Sequence, residues 1–240
     1  TEWHERIAGA PEFVVNCVSS GGGGVEGYRR SYLEGMASII AWAKGRGRGR
    51  IGTLVYTGST SVYPQGGGAI VDESAPTSRS ELSERARLLV ETEDLLRANA
   101  AAICERWFVL RLAGIYGPGR HHFIDQVKAG EASGNGEAHL NLIHRDDIVS
   151  GILACFGAGV ETRSGVFNLC DDQPARKSEI TAWLAARLGV PAPRFTGEPA
   201  SGRRSVTPDR IIANGKAKAE LGWRARFPTF REGCAELVRA

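Results

Sequence analysis

Neither a membrane-spanning segment nor a secretion signal is evident in the sequence. No apolar run approaches the ~20 residues that span a bilayer, and the chain does not open with the basic and apolar regions of a signal peptide. A large excess of charge of one sign is also missing, because the formal net charge of the 240 residues is only +3. We therefore expect neither a membrane nor a nucleic acid among the partners.

Cysteines at metal-binding or redox spacing are absent. The chain has five cysteines, Cys17, Cys104, Cys155, Cys170 and Cys234. No two of them stand in a C-x-x-C arrangement, and an odd number without a framework indicates reduced thiols in a cytoplasmic protein. We predict neither disulfides nor a bound metal.

The most informative segment that is present covers residues 53–64, TLVYTGSTSVYP. Its apolar part, Leu54–Tyr56, indicates a buried strand, and the hydroxyl-rich turn Gly58–Ser61 follows at once. Open α/β sheets bind their ligands at the carboxyl ends of the strands. Ser59 is therefore a candidate to direct its hydroxyl at a ligand. An ordinary Ser/Thr turn without a ligand is the alternative.

Strand-like runs alternate with amphipathic helical patterns along the rest of the chain. The predicted strands are 13–18, 53–57, 108–112, 140–143 and 166–169, and the predicted helices are 27–44, 80–101, 123–130, 145–157, 177–188, 209–221 and 229–239. Such alternation indicates βαβ units. We therefore predict an α/β fold with a mostly parallel sheet of the Rossmann type.

Five short motifs follow one another along the chain. They are Gly58–Pro64 (GSTSVYP), Arg111–Gly119 (RLAGIYGPG), His144–Asp147 (HRDD), Asn168–Pro174 (NLCDDQP) and Lys216–Trp223 (KAKAELGW). Each motif alone is weak. In this order and spacing they resemble the extended short-chain dehydrogenase/reductase family, the NAD-dependent epimerase/dehydratases.

The resemblance implies an oxidoreductase that uses NAD or NADP and acts on a sugar nucleotide or a small carbonyl or alcohol. It implies that Ser59 hydrogen-bonds the reacting oxygen. The implied cofactor contacts are Gly58, Leu112 and Ile115 along the nicotinamide, together with Cys17, Val18 and Ser19. These roles follow from the matched motifs alone.

The resemblance also implies two domains. Residues 1–166 would form a partial NAD(P)-binding Rossmann domain, and residues 167–240 a smaller substrate-binding lobe to which parts of 117–142 contribute. His121, His122 and Arg203 are the candidate substrate contacts. A histidine there could act as an acid or a base near neutral pH, while a plain surface position is the alternative for all three.

The chain departs from the family at its front. The family begins with a strand, a G-x-x-G-x-x-G turn and a helix that hold the dinucleotide pyrophosphate, whereas Glu12–Ser20 resembles the family's fourth strand. We interpret the run Gly21–Gly24 after it as a loop. We expect an incomplete sheet with an open edge at 13–18. We also expect the missing part to supply most of the residues that bind the cofactor. The natural polypeptide would be longer by about 60 to 70 residues.

A second departure concerns catalysis, because the predicted helix 80–101 contains no tyrosine. The family carries Y-x-x-x-K on this helix, in which the tyrosine exchanges a proton and the lysine lowers its pKa. Aligning Glu91 with the family's glutamate assigns these catalytic positions to Ser83 and Arg87. Serine is a much weaker acid than tyrosine, and arginine stays charged. The usual proton relay is therefore broken, and a histidine or water would have to replace it.

Two functions stay open on this basis. The first is an NAD(P)-dependent oxidoreductase with a degenerate active site. The second is a protein that binds NAD(P) as a sensor without catalysis. The expected partners are a small-molecule substrate and, as an open option, a second copy of the chain in a homodimer.

Overall fold

The computed structural model describes residues 3–45, 50–198 and 208–239. The chain divides into two compact units, each built from separate stretches of sequence. Unit 1 comprises Thr1–Pro64, Pro76–Arg111 and Gly151–Phe167, and unit 2 comprises Gln65–Ala75, Leu112–Ser150 and Asn168–Ala240. Each unit has an apolar core of its own.

Helices and strands alternate through most of the chain. The strands are β1 (Phe13–Asn16), β2 (Ile51–Ser59), β3 (Ala69–Val71), β4 (Cys104–Leu112), β5 (Gly114–Tyr116), β6 (Glu131–Ala132), β7 (His139–Leu140), β8 (Leu142–His144), β9 (Gly165–Leu169), β10 (Ala175–Arg176), β11 (Arg194–Phe195) and β12 (Arg210–Ile212). The helices are α1 (Trp3–Arg6), α2 (Gly24–Tyr28), α3 (Gly35–Lys44), α4 (Glu84–Ile103), α5 (His122–Lys128), α6 (Arg145–Gly157), α7 (Lys177–Leu188), α8 (Gly215–Glu220) and α9 (Phe230–Arg239). A π-helical stretch, Arg29–Glu34, joins α2 to α3. No helix in the described ranges is both long enough and apolar enough to cross a membrane.

The main sheet has the strand order β1-β2-β4-β9. β1 runs parallel to β2, with Asn16 opposite Tyr56. Helices α2 and α3 connect β1 to β2, and α4 connects β2 to β4, as expected of parallel neighbours. The predicted α/β fold with a parallel sheet is confirmed.

The strand β2 is buried on both faces. Leu54, Val55 and Tyr56 are each 0% exposed, which agrees with the continuous apolar run in the sequence. Met36 of α3 and Leu96 of α4 pack in one core with Leu54 and Tyr56. This packing fixes the position of β2, the strand whose carboxyl end leads into the hydroxyl-rich turn.

The strand β1 lies at the edge of the main sheet. Among the described residues it pairs with β2 alone. Phe13 and Val15 are 40% and 37% exposed, and the Phe13 ring contacts the ring of Phe156. An apolar edge of this kind presents unpaired backbone groups, so the sheet has the open edge that the sequence predicts at 13–18.

Unit 2 consists of short strand pairs and helices around one core. β5 runs parallel to β8, and β3 runs parallel to β12. Ile180 and Leu184 of α7 and Phe230 of α9 are each 0% exposed in this core. Contacts between stretches distant in sequence therefore hold unit 2 together.

One predicted helix is wrong in part. The sequence predicts a single helix over 209–221, but the structure has the strand β12 followed by the short helix α8. The β-branched Ile211 and Ile212 suit a strand, and β12 pairs with β3. Asn214 is the N-cap of α8, which separates the two elements.

The predicted strand 140–143 is also interrupted. Asn141 separates β7 from β8 and uses its side chain to bind the backbone of β12. Its Nδ2 donates to the Arg210 carbonyl at 2.9 Å, and its Oδ1 accepts from the Ile212 N–H at 2.7 Å. One amide side chain thus satisfies both a donor and an acceptor of a neighbouring strand.

Candidate functional site

The hydroxyl-rich turn lies where β2 ends in unit 1. Ser59 is the last residue of β2 and the N-cap of a 3-10 turn, Thr60–Val62. Its Oγ accepts a hydrogen bond from the Ser61 backbone N–H at 3.2 Å, and its side chain is partly exposed. Within the described ranges no protein acceptor is found for its O–H. The arrangement leaves Ser59 able to donate to an oxygen of a ligand.

The residues that follow β1 lie at the same edge of the sheet. β1 and β2 are parallel neighbours in register, so Cys17, Val18 and Ser19 continue from β1 at the carboxyl ends of both strands. Cys17 and Ser19 are exposed, and Val18 is 57% exposed. These three predicted cofactor contacts therefore have accessible surface at the edge where such folds bind ligands.

Asn16 is a polar residue to which the sequence analysis gives no role in the site. It is 3% exposed, and its Nδ2 finds no acceptor within the described residues. Its backbone oxygen accepts a hydrogen bond from Thr57 Oγ1 at 3.4 Å. The only sequence signal is a polar side chain at the end of the apolar strand FVVN. A buried donor without an acceptor is costly, so Asn16 is a candidate to bind a ligand oxygen.

A side chain at position 58 would point into unit 1, where Gly58 has none. A Cβ at this position would lie 3.5 Å from the Tyr56 ring and 3.6 Å from Glu93 Oε1, which are ordinary contact distances. The Cβ direction of this buried residue therefore points at α4. Only the Gly58 backbone is left for the contact with a nicotinamide that the sequence predicts.

A buried ion pair joins Arg111 of β4 to Glu93 of α4. The guanidinium Nε and Nη2 donate to the two carboxylate oxygens at 2.9 and 2.6 Å, and the side chains are 6% and 2% exposed. Burial alone would lower the pKa of Arg111, but the hydrogen bond and charge of Glu93 raise it above its ordinary value, so the arginine stays charged. The remaining nitrogen, Nη1, donates to the Tyr63 hydroxyl at 2.8 Å.

The two residues that the sequence alignment assigns to catalysis lie at the start of α4. Ser83 is the N-cap of this helix, and its Oγ accepts from the Ala86 N–H at 3.3 Å. Arg87 is exposed, and its Nε donates to the Leu82 carbonyl at 3.1 Å. The Ser83 hydroxyl thus caps the helix, and the two side chains bind separate backbone groups.

That alignment uses Glu91, but the buried glutamate of α4 is Glu93. Glu93 is 2% exposed, whereas Glu91 is only partly buried. Aligning Glu93 with the family's glutamate moves the tyrosine and lysine positions to Arg85 and Leu89. Leu89 is a core residue, and Arg85 lies over the Tyr28 ring. With either alignment α4 carries no tyrosine–lysine relay.

Tyr56 does not replace the missing tyrosine. It lies on β2 just before Gly58 and is 0% exposed. Burial and, after it, the negative charge of Glu93 raise its pKa well above the ordinary value. The phenol therefore stays protonated at neutral pH and is a poor acid.

The interpretation of the run Gly21–Gly24 as a loop holds for Gly21–Gly23 and needs a correction at Gly24. Each residue of the run has a positive φ, and its last residue begins α2. A Cβ on Gly27 would lie 2.1 Å from the Gly22 carbonyl oxygen, so only glycine fits there. With Gly27 the run contains the G-x-x-G-x-x-G spacing, but α2 is only five residues long. We assign no ligand to it.

The remaining predicted cofactor contacts belong to unit 2. Leu112 is 7% exposed, so most of its side chain is used in packing. Ile115 lies on β5 opposite Ile143 of β8 and is partly exposed. Of the two, Ile115 offers more surface to a ligand.

The two candidate histidines lie at the start of α5 in unit 2, and both are exposed. His121 Nδ1 and Asp125 Oδ1 are 3.1 Å apart, so the carboxylate orients the ring. His122 contacts the Gln126 side chain one turn further along the helix. Arg203 lies outside the described residues. Among the residues that are described, no group of three or more histidine, cysteine, aspartate or glutamate side chains could hold a metal ion.

The most perturbed carboxyl group of unit 2 is Asp171, within the motif NLCDDQP. It is 2% exposed, and its Oδ1 finds no partner in the described ranges. Burial and, after it, the charge of Asp172 raise its pKa to about 8. The carboxyl group is therefore mostly protonated at neutral pH, which the paired aspartates of the sequence do not indicate.

The parallel sheet, with a polar turn at the carboxyl end of a buried strand, defines a Rossmann-type α/β protein. Residues 1–170 match the NAD dependent epimerase/dehydratase family. The match covers more than half of the chain, so the chain belongs to this family.

Two curated proteins and one solved structure illustrate the likeness. Protein YeeZ of Escherichia coli (strain K12) is 29% identical over 198 residues, which are 82% of this chain and 65% of YeeZ. The 3-diazoavenalumate denitrifying reductase of a Streptomyces species is 27% identical over 223 residues, 85% of this chain and 70% of the reductase. The chain therefore spans just under two thirds of YeeZ.

The solved structure is the UDP-glucuronic acid 4-epimerase of Bacillus cereus in complex with UDP-glucuronic acid and NAD. The TM-score is 0.79 at 18% identity, and the similarity covers 99% of this chain and 77% of the epimerase. At that identity the likeness shows the fold alone.

Proposed function

We propose that the protein to which this chain belongs is an NAD(P)-dependent oxidoreductase acting on a sugar nucleotide or another small carbonyl or alcohol. The observation that carries the proposal is the Ser59 hydroxyl. It lies at the carboxyl end of a buried parallel strand, accepts from Ser61 and keeps its O–H to donate. Membership of the family supports the reaction class. The name of the similar reductase supports a reduction, and the sugar nucleotide is proposed from the ligand named for the 4-epimerase, which shares the fold.

The residues at this edge of unit 1 fit part of a nicotinamide dinucleotide. The exposed segment Cys17–Ser19 offers backbone groups, and the buried Asn16 Nδ2 is a donor that finds no acceptor among the described residues. When bound, the cofactor would supply hydride transfer at its nicotinamide ring. The backbone of Gly58 would contact the nicotinamide ring.

The proposed role of Ser59 is to hold and polarise the reacting oxygen. A donor fixed by the surrounding turn stabilises negative charge on that oxygen as it develops. Ser59 is too weak an acid to supply the proton itself, and α4 carries no tyrosine for the task. In the proposal bound water or a histidine supplies it. Unit 2 is the proposed substrate lobe, with His121, His122 and Arg203 as its proposed contacts.

The test is the substitution Ser59→Ala in the full-length protein, with NAD(P)H oxidation followed over a panel of carbonyl compounds. Loss of one donor to a developing oxyanion should lower kcat/KM by roughly a hundredfold. Ser61→Ala is the matched control, because it removes a nearby exposed hydroxyl and keeps the N–H that binds Ser59. Unchanged turnover in Ser59→Ala would exclude the proposed role of the serine.

A second candidate function is an NAD(P) sensor without catalysis. The residue types at the start of α4 favour it, because Ser83 is too weak an acid to replace a tyrosine and Arg87 stays charged. Calorimetric titration of the full-length protein with NAD(P)H, next to turnover assays on the same panel, separates the two functions. Tight binding with no turnover of any compound supports the sensor, whereas turnover of any compound rules it out.

A further inference from the structure

The turn that carries Ser59 is attached at its far end to the buried ion pair. Tyr63 closes the turn, since its backbone N–H donates to the Thr60 carbonyl at 3.2 Å. The Tyr63 hydroxyl accepts from Arg111 Nη1 at 2.8 Å, and the guanidinium lies over the ring at 4.8 Å from its centroid. Tyr63 is 1% exposed. One buried residue thus joins the backbone of the turn to the charged pair.

Arg111 divides its donors between two elements of unit 1. Two of its nitrogens bind the Glu93 carboxylate on α4, and the third binds Tyr63. Because the guanidinium is planar, the directions of these bonds are fixed relative to one another. Little water reaches the pair to compete for the bonds, since both side chains are buried. One rigid group therefore sets the position of the turn relative to α4.

The near end of the turn lies close to the same carboxylate. A Cβ on Gly58 would lie 3.6 Å from Glu93 Oε1, so the backbone of Gly58 packs close to the ion pair. The bond from Ser61 to the Ser59 side chain lies inside the turn. The orientation of the Ser59 hydroxyl consequently follows the geometry of the turn.

We propose that Arg111 is a positioning residue for Ser59, acting through Glu93 and Tyr63 to keep the hydroxyl directed at a ligand oxygen. The identity of that oxygen rests on the proposed function, whereas the holding of the turn rests on contacts within this chain. An ion pair with a purely structural role would stabilise unit 1 as a whole. Weakening such a pair would increase motion in the turn and in the sheet to the same extent. The two cases therefore differ in where a weakened pair increases motion.

The test is Tyr63→Phe, which removes the acceptor of Arg111 Nη1 and keeps the ring. Amide hydrogen exchange is measured at Ser61, at Val62 and at position 63, with Val55 in the middle of β2 as the reference. A hydrogen bond to a charged donor is lost, so the turn amides should exchange roughly tenfold faster. Exchange at Val55 should change much less.

Thr92→Val is the matched control on α4. It removes another buried hydroxyl of unit 1, one that binds the Leu88 carbonyl at 2.7 Å and lies outside the Arg111 contacts. Faster exchange confined to the turn, in Tyr63→Phe and not in Thr92→Val, supports the proposal. Equal acceleration at Val55 and at the turn overturns it, and so does unchanged exchange at the turn.

Kinetics of the full-length protein give the second readout. Tyr63→Phe should lower kcat roughly tenfold and leave KM within about twofold, because the hydroxyl acts mainly on charge that develops during the reaction. Thr92→Val should change neither constant. Unchanged kcat in Tyr63→Phe overturns the positioning role even if the turn exchanges faster. If the wild-type protein turns over no compound, the proposed function fails, and the exchange experiment still decides whether Arg111 holds the turn.

Discussion

Replacing Asp171 by asparagine should stabilise the protein at neutral pH and leave it almost unchanged in mild acid. The folded protein keeps this buried carboxyl group protonated up to about pH 8, whereas the unfolded chain ionises it near the ordinary pKa of 3.8. Burial is the main cause, and the charge of Asp172 adds to it. Asparagine keeps the shape of the side chain and cannot ionise.

The magnitude follows from the two pKa values. Between about pH 4 and about pH 8 the folded state retains a proton that the unfolded state has lost, so stability falls as the pH rises through this window. Each pKa unit corresponds to about 1.4 kcal/mol. At pH 7 the Asp171 carboxyl group therefore lowers the free energy of unfolding by about 4 kcal/mol. The variant should gain about that amount at pH 7 and almost nothing near pH 4.

Urea unfolding across a pH series measures the difference in stability between the variant and the wild type at each pH. Asp125→Asn serves as the control, because this side chain is 60% exposed and, among the residues that the structure describes, its ion-pair partner is the exposed His121. Its effect should stay below about 0.5 kcal/mol at every pH. A stability difference for Asp171→Asn that does not change with pH would refute the reasoning. A variant less stable than the wild type at pH 7 would refute it as well.

Three further predictions concern single residues. Glu93→Gln should lower the free energy of unfolding by about 3–5 kcal/mol, because it leaves the buried Arg111 without its counter-charge, and a urea titration that shows no loss would contradict this. Gly27→Ala should lower the melting temperature, because its Cβ would lie 2.1 Å from a backbone oxygen of the preceding loop. Gly35→Ala, with its nearest atom at 3.7 Å, should be neutral or stabilising by up to about 1 kcal/mol. A thiol reagent should label Cys17 alone in the folded protein, since it is exposed and burial raises the pKa of the other four thiols; a mass spectrum with more than one label would oppose this.

Elements with a strong local signal could be predicted from the sequence. The apolar run Leu54–Tyr56 is buried on both faces as expected, and the turn after it carries Ser59 at the carboxyl end of the strand. The helices 145–157 and 177–188 have the predicted bounds. In each case neighbouring residues alone specify the element, through their periodicity or their turn chemistry.

Features that depend on distant residues could not be predicted. Glu93 and Arg111 are 18 positions apart. From the sequence alone, each could equally form an ion pair at the surface with some other residue. Nothing local therefore indicates that the two are buried together. The sequence of β12 can be assigned to the start of the helix that follows it, and only the pairing with β3 identifies it as a strand. The assignments of Ser83 and Arg87 rest on an alignment of one glutamate, and the catalytic roles of both stay predictions.

Unit 2 is discontinuous in sequence, and this has a consequence for how the chain folds during synthesis. The Asn168 N–H binds Glu73 across 95 positions, and β3 takes its strand partner from residues 210–212, much later in the chain. Closing such long loops costs entropy before any contact forms, so pairing of this kind is slow. While the ribosome is still adding residues, β3 has emerged without its partner and Ile70, 76% exposed even in the finished fold, stands unpaired in solution. Unit 2 therefore cannot complete its fold before β12 has been made, and until then its exposed apolar segments are open to chaperone binding or aggregation.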